Sequence, residues 1–197
     1  MSEAEAQKGR QHSPATAAEQ LVLLARIQDG DERAFEELYR HFHTRLARFL
    51  INITRRPQVV EEVLNDTMIA VWEKPASFRG ASKLSTWIFG IAYRKAMKAL
   101  RRVDDPVEYR PVDSPDEESV SSDEAVWRGQ RERLLLEAMQ QLSADHRAVV
   151  DLTYFHEMGY REIAEIMACP VDTVKTRMFH ARRHLKRLMS GGSAEWL

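Results

Sequence analysis

Residues 159–188 read GYREIAEIMACPVDTVKTRMFHARRHLKRL. Gly159 to Met167 has the spacing of one short helix. Ala168, Cys169 and Pro170 make a turn, because Pro170 cannot continue the first helix but suits the entry to a new one. From Val171 onward, at 100° per residue, Val174, Met178, Ala181, Leu185 and Leu188 fall on one stripe. Opposite them lie Lys175, Thr176, Phe179, His180, Arg182, Arg183 and Lys186. This is the pattern of a helix-turn-helix. Phe179 is the informative residue, because it stands among cations on the face that should be wet. An exposed aromatic there suits a base edge or a thymine methyl in the major groove. The charge run alone describes a solvated cationic face equally well; the turn, the preceding helix and Phe179 together favour DNA. The candidate duplex contacts are Lys175, Thr176, Phe179, His180, Arg182 and Arg183. The first three sit early enough on the helix to read bases, and Arg182, Arg183 and Lys186 suit phosphates.

The rest of the chain extends the helical pattern in both directions. The same lobe predicts helices over about 129–141, 144–155, 160–167 and 171–189. Upstream, apolar residues recur at three- and four-residue spacings from Leu21 to Leu100, as in Ala34, Leu38, Phe42, Leu46 and Leu50. Pro57 and Pro75 interrupt this run. Between them a helix from about Gln58 to Glu73 carries Val59, Val63, Ile69 and Trp72. A last helix spans about Leu84 to Arg102, with Ser82 or Ser85 as its cap. Nothing resembles a strand pair, so the fold class is all-α, with two small helical domains.

Charge divides the 197 residues further. The chain carries 29 Lys and Arg against 30 Asp and Glu, which excludes a uniformly basic nucleic-acid binder but not one with segregated charge. Arg79–Arg102 holds seven cations and no acid, whereas 104–125 holds nine acids against Arg110, a net of -8. Residues 170–190 hold six cations against Asp172, a net of +5. Such blocks point to polyanion contacts in the basic parts. The acidic block also has Pro106, Pro111, Pro115 and four serines. It cannot bury enough surface to offset its ordering entropy and is expected to be a flexible linker. The expected organisation is a tail over 1–18, a first lobe over 19–102, the linker over 103–128, a second lobe over 129–190 and a tail over 191–197.

The first lobe holds two further constellations. On the helix from Leu84, the residues Arg94, Lys95, Lys98, Arg101 and Arg102 fill one arc, and Trp87 and Ile91 continue it towards the N-terminus. Ala92, Ala96, Ala99 and Leu100 lie on the other side. Rings in line with cations are used to capture single strands, the rings stacking on bases and the cations following phosphates. The preceding loop adds Phe78, Arg79, Ser82 and Lys83. Trp87 taken alone reads better as core. The helix from Val59 instead carries Glu61, Glu62, Asp66 and Glu73 beside its apolar stripe, which suits docking on a basic protein as well as it suits a solvated acidic face.

Other functions find less support. The single cysteine, Cys169, rules out an internal disulfide framework and a Cys-rich zinc site, and reads as a small turn residue. His41 with His43, and His180 with His184, lack carboxylate companions at metal-ligand spacing. No Gly-rich phosphate loop or paired nucleophile and base appears. An enzyme such as a metal-dependent nuclease is therefore disfavoured, and no catalytic residue, metal, cofactor or small-molecule substrate is expected. Residues Met1 to Glu19 have no apolar segment of the signal-peptide kind, and no run reaches membrane-spanning length. A cytoplasmic protein without membrane contact is expected.

Taken in order, these segments resemble an extracytoplasmic-function (ECF) sigma factor, of the sigma-70 family of bacterial RNA polymerase subunits. The matching stretches are Gly30-Asp31-Glu32-Arg33-Ala34-Phe35-Glu36-Glu37-Leu38-Tyr39, Asn65-Asp66-Thr67-Met68-Ile69-Ala70-Val71-Trp72, Phe78-Arg79-Gly80 and Leu84-Ser85-Thr86-Trp87-Ile88. In the second lobe they are Glu162-Ile163-Ala164, Cys169-Pro170-Val171 and Thr173-Val174-Lys175-Thr176-Arg177. The resemblance covers about 20–102 and 130–188. It implies that the first lobe is sigma region 2, which binds RNA polymerase core through Glu61, Glu62 and Asp66. It implies that Phe78, Arg79, Ser82, Lys83, Trp87, Arg94 and Lys98 take the melted minus-10 element as single strand. The second lobe would be sigma region 4, with Lys175, Thr176 and Phe179 at the positions of the family's minus-35 contacts. The acidic linker would thread the polymerase's nucleic-acid channel, and an anti-sigma factor is a further candidate partner. Two positions depart from the family pattern. Val59 and Val60 precede Glu61 where an acidic patch often opens the docking helix, and Arg94 stands where an asparagine is usual. The competing reading is a helix-turn-helix regulator that does not bind core polymerase; it gives no role to the Trp87–Arg102 cluster.

Overall fold

The chain enters its first helix through a reciprocal cap. The Thr16 hydroxyl accepts from the Glu19 amide at 3.3 Å, and the Glu19 carboxylate accepts from the Thr16 amide at 2.6 Å. The computed structural model describes residues 16–102 and 138–189. Among them are seven α-helices, one 3-10 turn and no strand. They are α1 (Ala17–Gln28), α2 (Glu32–Thr54), α3 (Pro57–Glu73), the 3-10 turn Pro75–Ser77, α4 (Leu84–Arg102), α5 (Ala144–Tyr154), α6 (Tyr160–Met167) and α7 (Val171–Met189). The cap draws Thr16, Ala17 and Ala18 out of the tail expected over 1–18 and into α1. The acidic linker, the tail over 191–197 and most of the helix expected over 129–141 lie outside the described residues.

Local chemistry sets the other boundaries. Gly30 takes φ +83° in the turn before α2, a conformation that suits glycine. Asp31 then caps α2, accepting from the Arg33 and Ala34 amides at 2.9 and 3.1 Å. Those amides, Ala34 foremost, and the adjacent Arg26 guanidinium hold its carboxyl below the usual value. Helix α2 ends at Arg55 in the left-handed region, and Pro57 opens α3 at its first position. Helix α4 is capped neither by Ser82 nor by Ser85. Its first backbone bond runs from the Trp87 amide to the Lys83 carbonyl, which makes Lys83 the cap and puts Ser85 inside the first turn.

Helix α2 is the axis of the first lobe. Ala34, Leu38, Phe42, Leu46, Phe49, Leu50 and Ile53 are all fully buried along it, against α1, α3 and α4. In the second lobe Val149, Val150, Leu152, Ile163, Ile166, Val174 and Ala181 are fully buried between α5, α6 and α7. Each such valine, leucine, isoleucine or phenylalanine side chain contributes about 1.5–3 kcal/mol relative to exposure. The two cores are continuous, because α5 packs on α2 and α6 packs on α4.

The seam between the lobes is polar where it is deepest. Arg147 of α5, 8% exposed, donates to the Ile53 carbonyl at the C-terminal end of α2 at 3.2 and 2.6 Å, and also to the Leu142 carbonyl. Burial, with the charge of Arg55 adding, lowers its pKa to about 10, so it remains cationic at neutral pH. Asp151 is wholly buried, accepts from the Asn52 amide at 2.6 Å and lies 3.2 Å from the His156 ring. Burial raises its pKa against the opposing pull of His156 and Asn52. The His156 ring from the second lobe sits edge-on to Phe49 and Phe89 of the first, at 6.0 and 4.8 Å between ring centres. Nearer the surface, Arg55 donates to the Gln140 carbonyl at 2.6 Å and Lys83 pairs with Glu162 at 2.8 Å.

Gly90 lets α4 approach α6. A Cβ there would stand 3.7 Å from the Ile166 Cα and 3.2 Å from an Arg94 guanidinium nitrogen that can swing away. Gly90→Ala should therefore keep the seam and gain up to about 1 kcal/mol of helix propensity. Gly90→Leu has no room beside the α6 backbone and should push the lobes apart. Thermal melting and small-angle scattering of the two variants check this. A Leu variant with the parent's radius of gyration and melting temperature would contradict the packing.

Candidate nucleic-acid and polymerase interfaces

Helix α7 separates its two faces cleanly. Val174, Met178, Ala181 and Leu185 are buried and Leu188 is half-buried, while Lys175, Thr176, Phe179, His180, Arg182 and Arg183 are exposed. All six expected duplex contacts thus share one surface, and Phe179 is 61% exposed, more than any buried-stripe role allows. The left-handed Ala168 ends α6 and turns the chain into α7 through Cys169 and Pro170. The exposed side chains hold one another in place. Lys175 pairs with Asp172 at 3.0 Å, and the Arg183 guanidinium lies over the Phe179 ring at 5.8 Å. Arg182 donates to the Tyr154 hydroxyl at 3.1 Å and covers that ring at 5.7 Å. Tyr154, itself 47% exposed, was not marked by the sequence pattern; its position at the end of α5 brings it beside α7.

The second constellation is split by the seam. Arg79, Arg94 and Lys98 are exposed, and Ser82 is half-buried. Phe78 and Trp87 are half-buried against the core with ring centres 5.6 Å apart, so they form a joined aromatic ledge rather than a free stacking ring. Lys83 is engaged across the seam with Glu162. Burial pushes the Glu162 carboxyl up, but the bonds from Lys83 and from the Gly159 amide outweigh it and leave the group below its usual value. Leu100, expected on the far side from the cations, instead lines an open groove with Arg94, Lys98 and Arg101.

The acids of α3 lie exposed in a row. Glu61, Glu62 and Asp66 are all open to solvent, and Asp66 lies 3.4 Å from Lys95 of α4. Ile69 departs from expectation. It is 51% exposed rather than part of the buried stripe, because at 100° per residue it falls on the arc of Glu62, Asp66 and Glu73. Val59 is buried and Val60 half-buried, so the valines in place of acids serve packing. The histidines once weighed as ligands are used otherwise. His41 lies 3.0 Å from the Gln20 amide and burial lowers its pKa, while His180 and His184 lie beside Arg183 and Arg187. Among the described residues no cluster of His, Cys, Asp or Glu could hold a metal ion, and no helix is long and apolar enough to cross a membrane.

Residues 38–105 match the family described as Sigma-70 region 2, and residues 132–185 match Sigma-70, region 4. The ECF RNA polymerase sigma-E factor of Haemophilus influenzae is 31% identical over 189 residues, covering 86% of this chain and 96% of that protein. The chain belongs to the ECF family of RNA polymerase sigma factors. The ECF RNA polymerase sigma factor RpoE of Cereibacter sphaeroides is similar at 31% identity, over 86% of this chain and 94% of that one. In fold this ECF sigma factor resembles CnrH in complex with the cytosolic domain of CnrY, with a TM-score of 0.63 at 22% identity over 89% of this chain and 99% of that one. It also resembles the sigma factor RpoE in complex with the anti-sigma factor NepR from Bartonella quintana, with a TM-score of 0.61 at 22% identity over 89% of this chain and 97% of that one. Regions 2 and 4 place the chain in promoter-directed transcription initiation, with RNA polymerase core and promoter DNA as its partners.

Lys175→Ala is expected to cost about 1–3 kcal/mol on a preferred duplex and to relax preference at one base pair. Arg183→Ala should weaken all duplexes alike and reduce the salt dependence of binding. Titrations on a duplex library at two salt concentrations separate these outcomes. Unchanged preference and affinity in both variants would remove α7 as the reading helix.

Proposed function

We propose that this ECF sigma factor reads the minus-35 element as duplex with Lys175, Thr176 and Phe179, while His180, Arg182 and Arg183 hold the backbone. The observation that carries this reading is the α7 surface: an exposed aromatic set among cations, opposite a stripe that is wholly committed to the core. The melted minus-10 strand is assigned to Phe78, Arg79, Ser82, Lys83, Trp87, Arg94 and Lys98. Glu61, Glu62 and Asp66 dock the first lobe on core polymerase, and exposed Ile69 on the same arc gives that acidic row an apolar centre. Region 2 then comprises residues 19–102 and region 4 residues 129–190, joined by the acidic segment 103–128. The protein acts in the cytoplasm as an initiation subunit without catalytic residues of its own.

In this reading the closed body is a resting form. Lys83 is tied to Glu162, and Tyr93, whose pKa burial and Asp145 raise, donates to Asp145 at 2.7 Å. Asp145 in turn pairs with Arg177 of α7 at 2.5 Å. Part of the minus-10 surface is therefore spent on holding region 4, and loading onto core polymerase must part the lobes. An anti-sigma factor, the partner of the Bartonella quintana sigma factor, would act here by covering the same polymerase- and DNA-binding faces. The rival reading, a helix-turn-helix regulator that ignores core polymerase, leaves the region 2 match without a role.

Reversing the charges of Glu61, Glu62 and Asp66 together should abolish co-purification with core polymerase while helicity by circular dichroism stays unchanged. Retained core affinity would sink the docking assignment. In reconstituted holoenzyme, Arg94→Ala should slow promoter opening, read by permanganate footprinting, while minus-35 binding survives. Arg94→Asn should shift the minus-10 base preference, since a guanidinium grips guanine where an amide suits adenine. Wild-type rate and preference in both would remove the α4 face from the minus-10 site.

A further inference from the structure

The exposed cations of α7 are anchored, but their anchors differ in origin. Lys175 is held by Asp172 and Arg183 by Phe179, both on α7 itself. Arg182 is held from another helix. Its Nε–H donates at 3.1 Å to the hydroxyl of Tyr154, the last residue of α5, and its guanidinium lies 5.7 Å from the centre of that ring. Both side chains are exposed. Among the described residues of the second lobe, Tyr154 and Phe179 are the large hydrophobic side chains left open to solvent. The bond between Tyr154 and Arg182 leaves donors to spare, because a phenol can accept and donate at once and a guanidinium carries five N–H groups. The Tyr154 oxygen accepts from Arg182, while its own O–H finds no acceptor and the Arg182 Nη groups meet no acid among the described residues. An oxygen that already accepts from a cation is polarised, which strengthens its proton as a donor. The pair thus presents donors only, one group charged, and calls for an anionic oxygen as acceptor.

We propose that Tyr154 belongs to the duplex interface: its hydroxyl and the Arg182 guanidinium grip one backbone phosphate together, Tyr154 both fixing Arg182 and donating the second hydrogen bond. The proposal rests on the assignment of Arg182 to the duplex backbone and adds a contact from outside the helix-turn-helix. Position along α7 supports a phosphate rather than a base edge. Arg182 stands seven residues past Lys175, nearly two full turns, so it shares the Lys175 face about 10 Å farther along the helix. With Lys175 near the N-terminal end at the base edges, Arg182 lies towards the strand that borders the groove. The ring and the hydroxyl fix the guanidinium before DNA arrives, so less side-chain freedom is lost on binding. Because the anchor stands on α5, the grip also ties the backbone contact to the body of the second lobe rather than to α7 alone.

The test uses holoenzyme reconstituted with the full chain, and a duplex that this holoenzyme enriches from a random library. Neutral methylphosphonates replace the phosphates of both strands one at a time, and affinity is measured for each duplex. In the parent, one position should cost at least about fivefold, and that penalty should vanish in Arg182→Ala. Tyr154→Phe keeps the ring beside the guanidinium and removes only the hydroxyl. It should bind the unmodified duplex about three- to tenfold more weakly and lose most of the penalty at that same phosphate. Its penalties at all other positions, its base preference and its melting temperature should match the parent's; a merely structural role for the hydroxyl would not single out one phosphate. If a phosphate depends on Arg182 but Tyr154→Phe keeps the parent's affinity and profile, the proposal falls while the backbone assignment of Arg182 stands. If no phosphate depends on Arg182, both fall. A Tyr154→Phe variant that changes base preference and leaves the phosphate profile intact places the pair at a base edge and likewise overturns the proposal.

Discussion

Arg147 joins the two halves of the molecule. Its guanidinium donates to a carbonyl at the end of α2 in one lobe and to the Leu142 carbonyl in the other. A buried charge of this kind holds only while its acceptors stay in place, and removing one side of such an arrangement generally costs about 3–5 kcal/mol. Asp151 imposes the same condition from the same helix, four residues on, through Asn52. Helix α5 therefore sits in one position against α2, and the positions of α6 and α7 follow from it. A purely apolar seam would tolerate sliding; these buried polar groups do not. The same groups regain water when the lobes separate, so the contact is specific when shut without being hard to open.

That property suits a protein with two nucleic-acid surfaces. The α7 face is open in the closed body, whereas the α4 face is partly used up by Lys83–Glu162 and by the Tyr93–Asp145–Arg177 chain. Under the proposed assignment of these faces, duplex reading and strand capture are thus unequally available before polymerase arrives. The near balance of total charge hides this organisation, because cations are concentrated on α4 and α7 while nine of the 30 acids are gathered in residues 104–125.

Much of the fold was legible in the sequence because it is local. The α7 stripe of Val174, Met178, Ala181 and Leu185 follows from helical period alone, and so does the exposure of Lys175 and Phe179. Pro57 and Pro75 mark breaks because the missing amide permits no other reading. Ile69 was misplaced for an equally local reason. Spacing marked it as one of an apolar series, and only its angle relative to Glu62 and Asp66 shows that it points outward. The start of α4 at Lys83 was missed because its first intrahelical bond, from the Trp87 amide to the Lys83 carbonyl, involves no serine side chain. The seam was out of reach of pattern reading. Asn52 and Asp151 are 99 residues apart, and no period links them. The available hints were Arg147 and Asp151 flanking the apolar run 148–150, and Gly90 inside a helix that otherwise avoids glycine. Such residues signal that something packs closely or polarly there, but not what.

The central claim is that regions 2 and 4 form one body in the free protein and part on core polymerase. Dyes at Ala81 and Arg161, two exposed positions flanking the Lys83–Glu162 pair, report it by single-molecule energy transfer in a Cys169→Ser background. The account predicts one high-transfer population in the free chain, replaced by a low-transfer population when core polymerase is added. A free chain that already shows low or broadly distributed transfer, or a bound chain that keeps the high-transfer state, would contradict it.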